Sequence, residues 1–291
     1  MNDEIANNKT APERFQFDLQ GGSIAGWRWA NPSMPPLLYC HATGFCASAY
    51  KQMLGTLSHR FDVFALDMRG HGRTTAPRPV RLRSWRVYAD DIARFLDQQN
   101  RMDWTLAGHS MGAVTATMAA RGRDDIAALR LIEPVAMPVW FSKAAATPLW
   151  PLVINQTPMV RQASRRRNGW PDRDAVLASY GRKALFKRWA PGVLADYLED
   201  GLIEGPDGVE LACDPAWEAA TFGAQANDFW ACLDDAPAPV SVLASDHSSS
   251  TVARWARQRM TRKAVLLKVA NELTHLAPME NPIEMASFVA S

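Results

Sequence analysis

The chain has 291 residues, of which 47% are hydrophobic, a length and composition that suit one large α/β domain or two small ones. Its 32 basic and 30 acidic residues leave a net charge of +2, which gives no indication of a nucleic-acid partner. The four cysteines lack zinc or redox spacing, and no run of about 18 apolar residues predicts a membrane span. The polar N-terminus lacks an apolar signal core, so we expect a cytoplasmic protein without a metal or membrane partner.

Short apolar runs recur along the chain at the length of β-strands. The first two are joined through Gly21 and Gly22, which predicts a hairpin. The later runs are short, continuous and mostly apolar, which is typical of strands buried on both faces of a parallel sheet. The predicted strands cover residues 15–18, 24–29, 36–40, 61–67, 104–108, 128–133, 239–245 and 264–270.

Helical patterns separate these strands. Ser84 is a predicted N-cap for a helix with one apolar face, residues 111–121 are rich in alanine, and residues 250–260 have apolar residues near helical spacing. Strands that alternate with helices predict a doubly wound α/β sheet. In such sheets the chemistry collects in the loops beyond the carboxyl ends of the strands.

One long segment interrupts the alternation. Residues 137–225 contain short helical stretches bordered by prolines. We therefore predict a helical cap at 137–225, inserted into a core domain formed by residues 1–136 and 226–291.

One motif joins a strand end, a turn and the start of a helix. Residues 108–112, Gly-His-Ser-Met-Gly, read Gly-x-Ser-x-Gly around Ser110. A serine at the apex of such a turn is held in a strained backbone conformation, at a cost of about 1–3 kcal/mol. Its neighbours two residues away must be small, since the strand and the helix otherwise cannot approach each other. The motif predicts a hydroxyl presented to a cleft, and an incidental serine in a glycine-bounded turn is the alternative.

Four motifs, each at the end of an apolar run, resemble those of the α/β-hydrolase family in the family's own order. They are HATGF at 41–45, DMRGHG at 67–72, GHSMG at 108–112 and THLAPMENP at 274–282. The resemblance covers nearly the whole chain. It implies an eight-stranded, mostly parallel sheet with an inserted cap.

By this resemblance, Ser110 is the nucleophile and His275 is the base that activates it. The acid that orients the base has two candidates. The family usually places an aspartate after the seventh strand, where this chain has Ser248, with Asp246 slightly earlier. Glu133 ends the sixth strand, which is where the haloalkane-dehalogenase branch has its acid. We favour Glu133 and keep Asp246 as the alternative.

The resemblance also implies the oxyanion hole, formed by the backbone N–H groups of Thr43 and Met111. The family commonly has glycine where this chain has Ala42. Three aromatic residues just beyond the sixth strand are predicted to line an apolar substrate pocket: Trp140, Phe141 and Trp150.

Together these residues predict a cofactor-free serine hydrolase that cleaves a small ester or lactone through an acyl-enzyme. Because residue 110 is serine, neither the aspartate chemistry of dehalogenases nor the similar opening of epoxides is expected. One alternative is hydrolysis of a carbon–carbon bond in a ring-cleavage product, whose carboxylate Arg161, Arg165 or Arg182 would bind. The other is a ligand-binding protein on the same fold.

Overall fold

The computed structural model describes residues 11–246, 251–263 and 265–291. The strands are β1 (Glu13–Leu19), β2 (Gly22–Trp29), β3 (Pro36–Cys40), β4 (Asp62–Leu66), β5 (Trp104–His109), β6 (Ile126–Ile132), β7 (Gly169–Trp170), β8 (Leu202–Gly205), β9 (Gly208–Leu211), β10 (Val240–Ser245) and β11 (Leu266–Ala270). The helices are α1 (Lys51–Leu57), α2 (Arg86–Gln99), α3 (Met111–Ala120), α4 (Val139–Ala145), α5 (Trp150–Ile154), α6 (Pro158–Ser164), α7 (Arg173–Gly181), α8 (Ala184–Lys187), α9 (Val193–Gly201), α10 (Pro215–Gly223), α11 (Phe229–Asp234), α12 (Arg254–Arg262), α13 (Ala277–Glu280) and α14 (Pro282–Val289). A 3-10 turn at Ala47–Tyr50 precedes α1.

Eight strands form one sheet in the order β1-β2-β4-β3-β5-β6-β10-β11. The β1–β2 hairpin is antiparallel and β2 pairs antiparallel with β4, whereas the remaining pairs are parallel. The mostly parallel α/β sheet predicted from the apolar runs is therefore confirmed. Because β3, β5, β6 and β10 are adjacent and parallel, the loops at their carboxyl ends meet at one edge of the sheet.

Helices cover both faces of this sheet. Because successive strand residues point to opposite sides, each buried strand contributes side chains to two cores. On β3, Leu38 and Cys40 face the core formed with α2, α3, α11 and α12. Leu37 and Tyr39 face the opposite core, which contains residues of α1 and α14. Helix α3 is buried along its whole length, which explains why its sequence is apolar and small on every side.

Three helix boundaries differ from the expectation in detail. Trp85, rather than Ser84, is the N-cap of α2, and the Ser84 hydroxyl accepts only a long 3.4 Å bond from the N–H of Arg86. Helix α12 begins at Arg254 rather than at residue 250, which lies outside the described residues. Helix α3 ends at Ala120, one residue earlier than predicted. These are shifts at element ends, where local pattern carries little information.

The segment predicted as a cap contains α4 to α10 and also a small antiparallel sheet in the order β7-β9-β8. No pattern in the sequence indicated that sheet. Asp200, near the end of α9, connects this segment to the rest of the chain. Its buried carboxylate accepts from Trp27 Nε1 at 2.8 Å and from Arg14 and Arg73. Burial raises the pKa of Asp200, but bonds from Arg73, Trp27 and Arg14 outweigh burial and hold the pKa below its usual value.

Candidate active site

Ser110 lies at the sharp turn between β5 and α3, with a φ of 56° that L-residues rarely adopt. The two flanking glycines leave room for this turn. A Cβ at Gly112 would lie 2.1 Å from the carbonyl oxygen of Cys40, and one at Gly108 would lie 2.4 Å from the carbonyl oxygen of Gly112. Both contacts are with backbone, which cannot swing away. The Gly-x-Ser-x-Gly spacing is therefore a packing requirement of β3, β5 and α3.

A Gly112→Ala variant should be less stable than the wild-type protein by about 1–3 kcal/mol, because its methyl group forces backbone apart in a packed core. Gly181→Ala is the matched control, since a Cβ at this exposed helical position meets nothing within 4 Å. Urea unfolding of both variants would measure the two changes in free energy. Equal stability of the two variants would contradict the packing argument.

Three side chains from distant parts of the chain meet at the carboxyl edge of the sheet. The Ser110 hydroxyl lies 2.9 Å from His275 Nε2, and His275 Nδ1 lies 3.1 Å from Glu133 Oε2. Ser110 is 7% exposed and Glu133 is fully buried, whereas the His275 side chain is 32% exposed. The hydroxyl can donate to one ring nitrogen while the other ring nitrogen donates to the carboxylate.

Glu133 directly follows β6 and has a φ of 49°. Its N–H donates to the carbonyl of Leu243 on β10 at 2.8 Å, so the pairing of these two strands fixes its position. The carboxylate accepts from the Thr251 hydroxyl at 2.7 Å and from the N–H of Ser245. These donors, together with His275, offset the cost of burying the carboxylate.

The alternative acid lies elsewhere. Asp246 is exposed after β10, and its N–H donates to the carbonyl of Ala270 at 3.0 Å. Ser248, which falls at the family's usual acid position, lies outside the described residues. In the part of the chain that the structure describes, Glu133 is the carboxylate that contacts His275.

Sequence reasoning missed Thr251. Its hydroxyl lies between the carboxylate of Glu133 and His275 Nδ1, at 2.7 Å and 3.3 Å. A threonine after a polar Ser-rich stretch has no motif that distinguishes it, so only the folded structure brings it to the site.

Thr43 and Met111, the predicted oxyanion donors, lie side by side. The Thr43 hydroxyl is 3.3 Å from the Met111 sulfur, and Met111 begins α3 directly after Ser110. Neither backbone N–H donates to another described residue. Two neighbouring residues whose N–H groups have no acceptor among the described residues are compatible with the predicted oxyanion hole.

The residues on either side of Thr43 differ from it in this respect. Residues 41–45 form the loop after β3, which we call the oxyanion loop after its predicted role. In this loop the N–H of Ala42 donates to the Tyr50 hydroxyl and the N–H of Gly44 donates to His71 Nε2, each at 3.1 Å. The N–H of Thr43 lies between these two hydrogen-bonded N–H groups in the chain, and it has no acceptor among the described residues. Alanine at position 42, where the family commonly has glycine, is accommodated with 3% exposure.

Two histidines join the oxyanion loop to the loop after β4. His41 Nδ1 donates to the carbonyl of Ala42 at 2.7 Å, and His41 Nε2 accepts from the N–H of Met68 at 2.9 Å. His71 completes the connection, because its Nδ1 donates to the carbonyl of Arg69 at 3.0 Å. Burial lowers the pKa of both imidazoles, that of His71 to about 4, so both are neutral near pH 7.

Neutral, buried His71 should make the stability depend on pH. Its pKa is lowered from 6.5 to about 4 in the folded protein. The unfolded chain therefore binds a proton at higher pH, and the stabilisation present above about pH 6.5 is lost as the pH falls toward 4. A His71→Gln variant does not titrate here, so its deficit in free energy of unfolding relative to wild type should shrink across this window.

Urea unfolding of both proteins between about pH 7.5 and about pH 4 measures this difference. Subtracting the two curves removes shared contributions of opposite sign, such as that of Asp67, whose pKa burial raises to about 7. A deficit that stays constant over the whole range would show that His71 takes up its proton equally well in the folded protein.

The three aromatic residues predicted to line the pocket have different surroundings. Trp140 is 69% exposed, whereas Phe141 and Trp150 pack edge to face with ring centroids 4.9 Å apart. Both also contact the small core between α5, α6 and α10, and Trp150 Nε1 donates to the carbonyl of Gly223. The contacts of Phe141 and Trp150 are those of side chains packed within residues 137–225, and the role of all three aromatic residues in substrate binding stays a prediction.

Among residues 11–246, 251–263 and 265–291, no group of three or more His, Cys, Asp or Glu side chains is arranged to hold a metal ion. No helix within those ranges is both long and apolar enough to cross a membrane. The four cysteines are unpaired and buried.

Comparisons with known proteins agree with this architecture. A family model described as the Alpha/beta hydrolase family matches residues 37–288. A 2-(acetamidomethylene)succinate hydrolase of Mesorhizobium japonicum is 33% identical over 94 residues, 32% of this chain and 33% of that protein. An epoxide hydrolase of Caballeronia sordidicola is 35% identical over 113 residues, 38% of this chain and 34% of the other. The matches thus span about a third of these relatives.

A solved structure of E-2-(acetamidomethylene)succinate hydrolase superimposes with a TM-score of 0.78, covering 97% of this chain and all of the other at 19% identity. At that identity the likeness is one of fold. The family match extends over most of the chain and contains the strained serine turn, the oxyanion loop and the histidine after β11. The chain belongs to the Alpha/beta hydrolase family.

Proposed function

We propose that the protein is a serine hydrolase that cleaves a small carboxylic ester or lactone through an acyl-enzyme. Ser110 is the nucleophile, His275 the general base and Glu133 the acid that orients the base. The observation that carries the proposal is the continuous hydrogen-bond line from Glu133 through His275 to Ser110, at a serine held in a strained turn. Strain at one residue of a buried turn is typical of a functional position.

In the first half of the reaction, Ser110 Oγ attacks the substrate carbonyl while its proton passes to His275 Nε2. The carbonyl oxygen becomes an oxyanion that accepts from the N–H groups of Thr43 and Met111. Each such donor contributes about 2.7–4 kcal/mol of transition-state stabilisation. His275 then gives its proton to the leaving alkoxide, the carbon–oxygen bond breaks, and the acyl group remains on Ser110.

In the second half, water takes the place of the alcohol. His275 removes a proton from water, the resulting hydroxide attacks the acyl carbon, and the oxyanion forms again in the same hole. The bond to Ser110 Oγ breaks, and His275 returns the proton to that oxygen. The net reaction consumes one water, and needs neither an oxidant nor a reductant.

Glu133 acts on the base in both halves. By accepting from Nδ1–H it selects the tautomer of His275 whose Nε2 is free to accept a proton. Its negative charge also stabilises the imidazolium that forms in each step. The bonds from Thr251 and Ser245 hold the carboxylate so that one oxygen points at the ring.

The arginines of the cap give less support to carbon–carbon hydrolysis, which needs a cation for the substrate carboxylate. Arg161, Arg165 and Arg182 are all exposed on the cap segment. Arg166 is more buried, but its guanidinium donates to both carboxylate oxygens of Glu218, so that its charge is already paired. The reaction named for the epoxide hydrolase relative is not proposed either, because residue 110 is serine.

We also propose that residues 137–225 form a cap over the site. Tyr197 on α9 supports this, since its hydroxyl donates to the carbonyl of Gly44 in the oxyanion loop at 3.2 Å. Glu218 on α10 supports it too, because a Cβ on Gly44 would lie 2.4 Å from its carboxylate. Residues of the cap segment therefore lie directly against the loop that carries Thr43.

The substrate class is tested by kcat/KM on p-nitrophenyl esters of increasing acyl length and on simple lactones. We expect turnover that peaks at one acyl length and is lost in Ser110→Ala. A folded wild-type protein that turns over none of these, but retains one ligand per chain or cleaves a ring-cleavage dienoate, would contradict the ester assignment.

A further inference from the structure

Two buried side chains that the proposed chemistry does not use lie between the oxyanion loop and the base. Tyr50 ends the 3-10 turn that follows the loop, and His109 is the last residue of β5, directly before Ser110. Both are almost fully buried, with 1% and 0% exposure. The Tyr50 hydroxyl lies 2.8 Å from His109 Nδ1.

Backbone groups stand at both ends of this pair. The N–H of Ala42 donates to the Tyr50 hydroxyl oxygen at 3.1 Å, and His109 Nε2 lies 2.6 Å from the carbonyl oxygen of His275. A backbone N–H only donates and a backbone carbonyl only accepts. His109 Nε2 must therefore carry the proton, and Nδ1 must accept from the Tyr50 hydroxyl.

We propose that Tyr50 and His109 are positioning residues, which hold the oxyanion loop and the base at a fixed separation. They do so through a hydrogen-bond chain with one direction, from the Ala42 N–H through Tyr50 and His109 to the carbonyl of His275. The inference rests on the proposed roles of Thr43 and His275. It assigns no contact with substrate to either residue.

The chain connects the parts of the site that must keep their geometry during the reaction. The first outer link holds Ala42, which immediately precedes Thr43. The last outer link joins His109, which immediately precedes Ser110, to the backbone carbonyl of His275 itself. Displacement of a reacting or stabilising group by about 1 Å can cost about 100-fold in rate. A chain of three hydrogen bonds through two buried side chains, in which each donor has an acceptor, limits such displacement.

His109 can keep this role while His275 changes charge. Burial lowers the pKa of His109 far below 6.5, and the nearby His275 lowers it further. The ring centroids of His109 and His275 lie 5.0 Å apart. When His275 takes the serine proton, His109 therefore stays neutral, and each of its nitrogens keeps its donor or acceptor role.

A second tyrosine provides a matched control. Tyr39 is fully buried and its ring centroid lies 4.8 Å from that of Tyr50. Its hydroxyl has no hydrogen-bond partner among the residues that the structure describes. Tyr39→Phe therefore removes a hydroxyl at the same depth and in the same core without breaking the chain.

The kinetic test measures the rate at which a fluorophosphonate labels Ser110, because its tetrahedral adduct uses both the base and the oxyanion hole without requiring the natural substrate. We expect Tyr50→Phe to slow labelling about 10- to 100-fold, less than the loss of an oxyanion donor outright. Tyr39→Phe should stay within about twofold of wild type. Equal rates for the two phenylalanine variants would overturn the proposal.

Rescue at His109 separates positioning from simple packing. A glutamine side chain offers one acceptor and one donor in an arrangement similar to that of the imidazole, whereas leucine offers neither. His109→Gln should label several-fold faster than His109→Leu at similar thermal stability. If both label equally slowly, or if the rates follow the melting temperatures alone, the hydrogen-bond chain is not what positions the site.

The tautomer is testable without activity, on the folded wild-type protein labelled with ¹⁵N-histidine. We expect one imidazole that stays neutral from about pH 6 to about pH 8 with its proton on Nε2, and whose signals disappear in His109→Gln. A proton on Nδ1, or titration within this range, would overturn the proposal. A wild-type protein that resists the fluorophosphonate would instead contradict the proposed function, leaving the tautomer to decide on the hydrogen-bond chain.

Discussion

Replacing Ser110 by alanine should lower kcat by about 10⁴- to 10⁶-fold while leaving the fold intact. In the proposed reaction the hydroxyl oxygen forms the bond to the acyl group in the first half and is released in the second, so no neighbouring group can replace it. Ser110 has only 7% exposure, and alanine keeps its Cβ, which leaves the packing of the turn nearly unchanged. Steady-state kinetics on the best ester, with circular dichroism and thermal unfolding beside it, measures both parts of this expectation.

The residual rate of the alanine variant carries information as well. The proposed backbone donors of Thr43 and Met111 remain in place, so we expect slow hydrolysis by water above the uncatalysed rate. Ser142→Ala is a suitable control for loss of a serine in general, since Ser142 lies in α4 and bonds to the carbonyl of Asn227. A kcat of Ser110→Ala comparable to that of wild type would show that Ser110 is not the nucleophile.

Glu133→Gln should lower kcat by about 10⁴-fold, whereas Asp246→Asn should change kcat by less than about threefold. A glutamine amide would donate to His275 Nδ1 and favour the tautomer with a proton on Nε2, which cannot accept from Ser110. Asp246 is exposed and its N–H bonds to Ala270, away from His275. The contrast in kcat between the two isosteric variants therefore identifies the acid.

The two variants also differ in what else they disturb. Glu133 is fully buried and accepts from Thr251 and Ser245, so its replacement will also cost stability. Thermal unfolding must show that Glu133→Gln is folded at the assay temperature before its kcat is compared. An active Glu133→Gln beside an inactive Asp246→Asn would transfer the role to Asp246.

The strands that flank the site were predictable because they are buried on both faces. Residues 36–40 were expected as a strand and β3 has those bounds, since every one of its side chains is buried. The two-residue strand β7 could not be predicted, because Gly169 and Trp170 have no periodicity to detect. The small sheet in the cap segment depends on pairing with β9, which the sequence does not encode locally.

The residues of the site also differ in whether the local sequence predicts them. Ser110 and His275 carry motif residues on both sides, so their candidacy follows from local sequence. Thr251 and Tyr50 do not, because their importance comes from hydrogen bonds to residues far away in the chain. The choice between Glu133 and Asp246 likewise depends on the direction in which each side chain leaves its strand, and only the packed sheet determines that direction.

The most direct test of the account is the site and rate of labelling by a fluorophosphonate, since this needs no knowledge of the substrate. We expect one phosphonyl group per chain, located on Ser110 by peptide mass spectrometry. Labelling should be absent in Ser110→Ala and strongly slowed in Glu133→Gln but not in Asp246→Asn. A folded wild-type protein that remains unlabelled, or whose adduct lies on another residue, would contradict the assignment of Ser110, His275 and Glu133 as a catalytic unit.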